Sequence, residues 1–188
     1  EDYLGVRWLT PEVTHIPERA PDAIPRISVH YTPPIRYRRT SYANRFGNTE
    51  FVRAQKLHNA NWGLFVHTAY YLVPPEKFGA DHPEYFSMVD GERLAPDYDW
   101  QDRELRKKEE NKTGQIDFAN PEVAKIITHE LKERFAQKPD AQFWSVSQQD
   151  WRNFDESDRS RAIDAAEGSH SAHLLVGVNR VAKAIETE

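Results

Sequence analysis

A chain of 188 residues carrying five Trp, eight Tyr and nine Phe is long and aromatic enough for a buried core, which excludes a wholly disordered polymer. Its formal net charge of −5 argues against a nucleic acid or an anionic membrane as partner, and no apolar run approaches the ~18 residues of a membrane span. With no cysteine, disulfides and thiolate metal sites are excluded and the redox compartment is unreadable.

Residues 1–26 are punctuated by Pro11, Pro17, Pro21 and Pro25, a spacing that forbids a long helix. The chain opens on Glu1-Asp2 rather than Met, as a segment cut from a longer protein would. Residues 1–30 therefore read as an arm, with a short helix end and a turn within "YLGVRWLTPEV", lying on apolar surface through Leu4, Val6, Trp8 and Leu9. "RISVHY" (26–31) and the alternating "IRYRRTSY" (35–42) have strand composition. "TEFVRAQKLH" (49–58) spaces Phe51, Val52 and Leu57 helically behind Asn48 or Thr49 as cap.

"GLFVHT" (63–68) is a continuous apolar run of strand length, as in parallel strands covered on both faces. Asp90-Gly91 between apolar pairs predicts a hairpin. The charge-dense run 97–114 reads as a solvated loop or exposed helical turn, and "GQIDFAN" (114–120) as a strand. Asn120 caps the clearest helix, Pro121 opens it, and Val123, Ile126, Ile127, Leu131 and Phe135 form its apolar stripe before Pro139 ends it. "AQFWSVS" (141–147) follows as a strand, then a short helix stopped by Gly168. A last helix, capped by Ser169 or Ser171, carries Leu174, Val178, Val181, Ala182 and Ile185 on one face. From residue 114 onward, strand and helix alternate, which predicts an α/β fold with parallel strands and right-handed crossovers.

In such folds ligands sit beyond the carboxyl ends of the strands. Gln148, Gln149 and Asp150 end one strand, His67 and Thr68 another, and Arg39–Tyr42 a third. Amides, a carboxylate, an imidazole and aromatic faces converging on one mouth suit a polyhydroxylated ligand, and a carboxylate there also suits glycosidic cleavage. The plainer alternative stays open: Asp150 as a cap, Gln148 serving loop backbone, His67 as a structural histidine. His170 and His173, three apart, lack a third ligand nearby, so no metal site is expected. No phosphate-binding glycine loop, CxxC, HExxH or GxSxG appears, and no cofactor is expected.

Three long stretches, "HTAYYLVPPEKFGADHPEYFSMVDGERL", "NPEVAKIITHELKERFAQKPDAQFWSVSQQDW" and "RAIDAAEGSHSAHLLVGVNRVAKAIE", resemble the DUF4838 family. Its glycoside hydrolase members are similar to endo-β-N-acetylglucosaminidases that act on N-glycans in gut Bacteroidetes. The resemblance implies a TIM-barrel-like (β/α)8 domain, of which 31–188 is the N-terminal portion, the first ~3 βα units where a whole barrel takes about 250 residues. It makes 1–30 the end of a preceding small α/β domain. It implies a carbohydrate ligand, self-association through an exposed sheet edge, and a bacterial periplasmic, cell-surface or secreted location. On the matching positions it assigns Asp150 as the catalytic carboxylate and His67, Tyr70, Gln148, Gln149 and Trp151 as substrate-binding residues. Where the family often carries cysteines, this chain has Val6, Asp117, Asp155, Ser157 and Ser160, so any soft-metal site of relatives is lost.

Two activities follow as expectations. One is a glycoside hydrolase-like domain acting on N-acetylglucosamine-containing glycans. The alternative is a non-catalytic truncated or engineered barrel fragment that folds or self-associates without turnover.

Overall fold

The structure is a computed structural model. It describes residues 4–19, 22–23, 26–35, 37–39, 49–57, 60–109 and 112–186. The expected cap Asn48, and residues 36, 40–42 and 58 of the expected strand and helix, lie outside that set. The chain divides into two compact units, residues 1–60 and 61–188.

In the first unit the expected helix end in "YLGVRWLTPEV" is instead a small hairpin. β1 (Arg7–Trp8) pairs antiparallel with β2 (Thr14–His15). Thr10 makes the turn: its Oγ1 accepts from the backbone N–H of Glu12 and of Val13, the local side-chain bonding that favours Thr in turns. α1 (Thr49–Ala54) forms where the helical spacing placed it. Just beyond its end, the Gln55 side-chain amide donates to Trp8 O at 2.8 Å, tying helix to hairpin. Leu4 and Leu9 stay exposed rather than resting on an apolar surface. Residues 26–31 form no strand, and Ile27, Val29 and Tyr31 are exposed.

The second unit is built mainly of helices. Two short helices, α2 (Ala69–Leu72) and α3 (Pro75–Phe78), lead to a 3-10 turn at Pro83–Tyr85. β3 (Met88–Val89) and β4 (Glu92–Arg93) then form the hairpin that Asp90-Gly91 predicts. Both turn residues have positive φ, 51° and 85°, the requirement of a primed two-residue turn. α4 (Arg103–Glu109) occupies the charged run and buries nothing. α5 (Pro121–Gln137) begins where Asn120 Oδ1 accepts from Glu122 N at 3.0 Å and Pro121 fills the first helical position. α6 (Asp158–Glu167) is capped by Ser157 and ends at Gly168 in the left-handed region, and α7 (Ala172–Glu186) closes the unit.

The core gathers Tyr70, Leu72, Phe86, Ile116, Ile127 and Leu131 with Val181 of α7. α5 contributes Val123, Ile127 and Leu131 from its predicted stripe, while Phe135 is only partly buried. α7 packs closely on the chain just before α5: a Cβ on Gly177 would lie 2.2 Å from Phe118 O.

The α/β expectation is overturned. Among the described residues there are two sheets, each of two antiparallel strands, and neither closes into a barrel. The three segments expected as parallel strands are irregular. Residues 114–120 make an isolated antiparallel bridge, Phe86 with Ile116, and residues 62 and 143 an isolated parallel one. Along the 61–69 and 142–147 seam some backbone bonds are made, Gly63 N to Phe143 O and Ser145 N to Leu64 O among them. Further on, side chains take the ladder's place. Thr68 Oγ1 donates to Ser145 O and accepts from Ser147 N, both at 2.9 Å. A hydroxyl that satisfies strand backbone removes the need for a regular strand there. Phe65 and Val66 are also exposed, so this run is not covered on both faces. A short apolar run does not by itself separate strand from irregular core chain.

Candidate functional site

The seam delivers the residues singled out in the sequence to one end, but in two groups. His67, Gln148 and Asp150 reach the surface. Tyr70, Gln149 and Trp151 turn inward.

His67 sits in the left-handed region at φ 53°, just before the Thr68 cap of α2, and this turn sends its ring outward. Its Nδ1 lies 3.3 Å from Gln148 O, and its Nε2 lies 3.9 Å from Asp150 Oδ2. With Nδ1–H donating to the carbonyl, Nε2 is left to face the carboxylate. The His67 side chain is 46% exposed and that of Asp150 89%, so both face water with their remaining hydrogen-bonding capacity. Two segment ends far apart in sequence thus meet in an exposed polar rim.

The inward group holds that rim in place. Tyr70 is fully buried, its hydroxyl donates to Gly114 O at 2.5 Å, and burial, with Tyr98 nearby, pushes its phenol well above the usual range. Its ring packs edge-on against Phe86, Trp100 and Trp151. Trp151 Nε1 donates to the same Gly114 carbonyl at 2.9 Å. Gln149 N donates to Gln115 Oε1 at 2.8 Å, and the Gln149 side-chain amide bridges His67 O and Tyr70 N. Buried Gln115 returns the service, its Nε2 donating to the carbonyls of Trp151 and Gln149. These amides satisfy backbone that would otherwise be orphaned inside the fold.

Sequence reasoning missed a second, buried cluster. Asp117, Asp155, Ser157 and Ser160, four of the positions where the resemblance expects cysteine, lie on segments that the fold brings together around Arg93 of β4. Asp155 is well supported: Met88 N donates to its Oδ1 at 2.7 Å, Ser157 Oγ to its Oδ2, and Arg93 Nη1 lies 3.3 Å away. Asp117 Oδ1 accepts from Asn120 N, but its buried Oδ2 has no hydrogen bond and sees Arg93 and Arg159 only at 3.6 Å. Burial first, and Asp155 second, raise the Asp117 carboxyl to about 6 against the arginines' opposing pull. Arg93 gave no signal in the sequence, since the pairing needs the β3–β4 turn to aim it. Among the described residues no group of three or more His, Cys, Asp or Glu could hold a metal. His170 and His173 both approach Asp164, and His173 is buried against it at 2.9 Å, fastening α7 to α6.

The hydrolase expectation does not survive this geometry. It rested on a barrel that would bring catalytic groups to the ends of its parallel strands, and among the described residues there is neither a closed nor a partial barrel. Asp150 faces the His67 imidazole at an open rim, 89% exposed, and not at the mouth of parallel strands. Among the described residues no helix is long and apolar enough to cross a membrane.

A family model described as a domain of unknown function, DUF4838, matches residues 8–188. Neither the curated proteins nor the solved structures contain a match to the chain.

Proposed function

We propose that this chain, which belongs to the DUF4838 family, is a non-catalytic module that binds a neutral polyhydroxylated ligand, a glycan, at the His67–Asp150 rim. The observation that carries the proposal is the approach of His67 Nε2 to Asp150 Oδ2 at 3.9 Å with both side chains exposed. The Asp150 carboxylate and the His67 Nε2 so placed both accept from adjacent hydroxyls, and the charge-assisted bonds to the carboxylate are the stronger ones. Exposed Phe65 and Val66, directly before His67, offer the apolar surface on which sugar C–H faces pack. The rim rests on the inward-facing Tyr70–Gln149–Trp151 framework, of which Trp151 is partly buried, so binding needs little reordering. The compartment that goes with such a ligand is the periplasm, the cell surface or the medium.

Calorimetry of the chain against N-acetylglucosamine and a complex N-glycan tests this reading. Binding should weaken at least tenfold in Asp150→Ala and in His67→Ala, with the thermal midpoint nearly unchanged because both side chains are exposed. Absence of binding by the folded chain, or equal binding by both variants, refutes it. So does robust glycan turnover, since the module is proposed to release its ligand uncleaved.

A further inference from the structure

Beyond the rim the chain alternates in exposure: Asp150, Arg152 and Phe154 are exposed, while Gln149, Trp151, Asn153 and Asp155 are covered wholly or in part. The covered set is bonded into the fold. Asn153 Nδ2 donates to Thr113 O at 2.9 Å, and Asp155 Oδ1 accepts from Met88 N at 2.7 Å. Phe154 is thus held between two anchored residues, and it is 42% exposed. It lines a cavity of about 800 Å³ between the β3–β4 hairpin, residues 153–156 and the C-terminal half of α6, a volume in the range of small-molecule sites. Phe154 follows Asp150 by four residues, a span of at most about 14 Å of chain.

We propose that this cavity is a second sugar subsite, which takes a further ring of an oligosaccharide whose first ring sits at the His67–Asp150 rim. The inference rests on the glycan reading of that rim and deepens it: the ligand is an extended, neutral chain rather than a monosaccharide. Each charged group lining the cavity already has a partner. Glu156 Oε2 meets Arg161 Nη2 at 3.0 Å, and Asp155 Oδ1 meets Arg93 Nη1 at 3.3 Å. Asp164 Oδ1 accepts from His173 N at 3.0 Å and faces His173 Nδ1 at 2.9 Å, and His170 Nδ1 stands 3.7 Å from Asp164 Oδ2. An ion would have to displace one of these pairs. A neutral polyol needs only their remaining capacity, since a guanidinium carries five N–H donors and a carboxylate accepts about four bonds. Phe154 adds the flat apolar face on which sugar C–H groups pack. It is not part of the hydrophobic core, so packing does not account for its position.

Calorimetry of the intact chain tests this with two probes, N-acetylglucosamine and a complex N-glycan without sialic acid. The glycan should bind the wild type at least tenfold more tightly than the monosaccharide. Phe154→Ala should cut that advantage to less than threefold, the loss falling on the glycan. If Phe154→Ala lowers the thermal midpoint, Phe154→Leu, which keeps apolar bulk without the flat ring, should still lose the advantage. Leu175→Ala, which trims an exposed apolar side chain of α7, should retain it. Equal affinity of the wild type for both sugars overturns the proposal. So does a full advantage in the Phe154 variants, or an equal loss in Leu175→Ala. Asp150→Ala keeps the two readings apart, since it should weaken both sugars. If it does so while Phe154→Ala changes nothing, the subsite falls and the rim stands. Binding indifferent to Asp150→Ala removes the rim, and the subsite with it.

Discussion

Asp117 and Asp155 approach the same guanidinium nitrogen: Arg93 Nη1 lies 3.6 Å from Asp117 Oδ2 and 3.3 Å from Asp155 Oδ1. The two acids are not equivalent. Asp155 has a backbone N–H and a serine hydroxyl besides the arginine, while the Asp117 oxygen facing Arg93 has no hydrogen bond at all.

Asp117 holds a proton firmly, its carboxyl raised from 3.8 to about 6, chiefly by burial. The native chain holds that proton more tightly than the unfolded chain. Its stabilising effect is complete below pH 3.8 and is lost as pH rises toward 6. The shift corresponds to roughly 3 kcal/mol. Urea unfolding at several pH values should show wild-type stability falling relative to Asp117→Asn by about that amount between pH 4 and pH 7.5. A wild-type-minus-variant difference independent of pH would remove Asp117 as the titrating group.

Neighbouring serines in the same cluster should respond with opposite sign. Ser160 Oγ is buried without a partner, so Ser160→Ala should be neutral or stabilising by about 1 kcal/mol. Ser157 caps α6 and bonds Asp155, so Ser157→Ala should cost about 1–2 kcal/mol. Thermal melts of the two variants decide the matter, and a shared sign would contradict the bonding described.

Gly177→Ala sets helix propensity against packing. Alanine favours an exposed helix interior by about 1 kcal/mol over glycine. Here the new Cβ would meet Phe118 O at 2.2 Å and Phe118 C at 2.9 Å, backbone atoms that cannot swing aside. The clash should win, with a net loss of about 2 kcal/mol or more. An unchanged or raised melting temperature would mean that α7 does not sit this close to the chain before α5.

Asn120 serves two elements at once. Its Oδ1 caps α5 through Glu122 N, and its Nδ2 donates to Glu84 O at 3.2 Å. Asn120→Ala should lose about 1–2 kcal/mol, and Asn120→Asp, which keeps the cap but not the donor, should lose less. Equal losses would make the Glu84 contact the dominant one.

The parts of the fold that could be read from the sequence are those fixed by neighbours in the chain. Asn120-Pro121, Gly168 and Asp90-Gly91 each dictate a local geometry, and α5, the end of α6 and the β3–β4 hairpin stand where those residues put them. Apolar content alone was a poorer guide: "GLFVHT" and "AQFWSVS" look like sheet strands, but Thr68 and Ser147 satisfy the backbone through side chains and only an isolated bridge remains. The site divides in the same way. Meeting of His67 with Asp150 was legible as two polar segment ends. Inward turning of Tyr70, Gln149 and Trp151 was not, because it depends on Gly114 and Gln115, which arrive from elsewhere in the chain. Arg93 and Arg159 gave no local sign of their shared carboxylate, since ion pairs across long sequence separations leave no periodic trace.

The seam between residues 61–69 and 142–147 also constrains the order in which the chain folds. Thr68 and Ser147 are separated by 79 positions, whereas His173 and Asp164, which fasten α7 to α6, are separated by nine. Closing the larger loop costs more chain entropy and yields few bonds until it is complete. The α6–α7 helical hairpin is therefore expected in the folding nucleus, with the seam knitting afterwards. A mutation at Thr68 should then accelerate unfolding while leaving the folding rate almost untouched, and one at Asp164 should slow folding itself. The polar rim, carried on the last part to assemble, would be the first lost when the molecule opens.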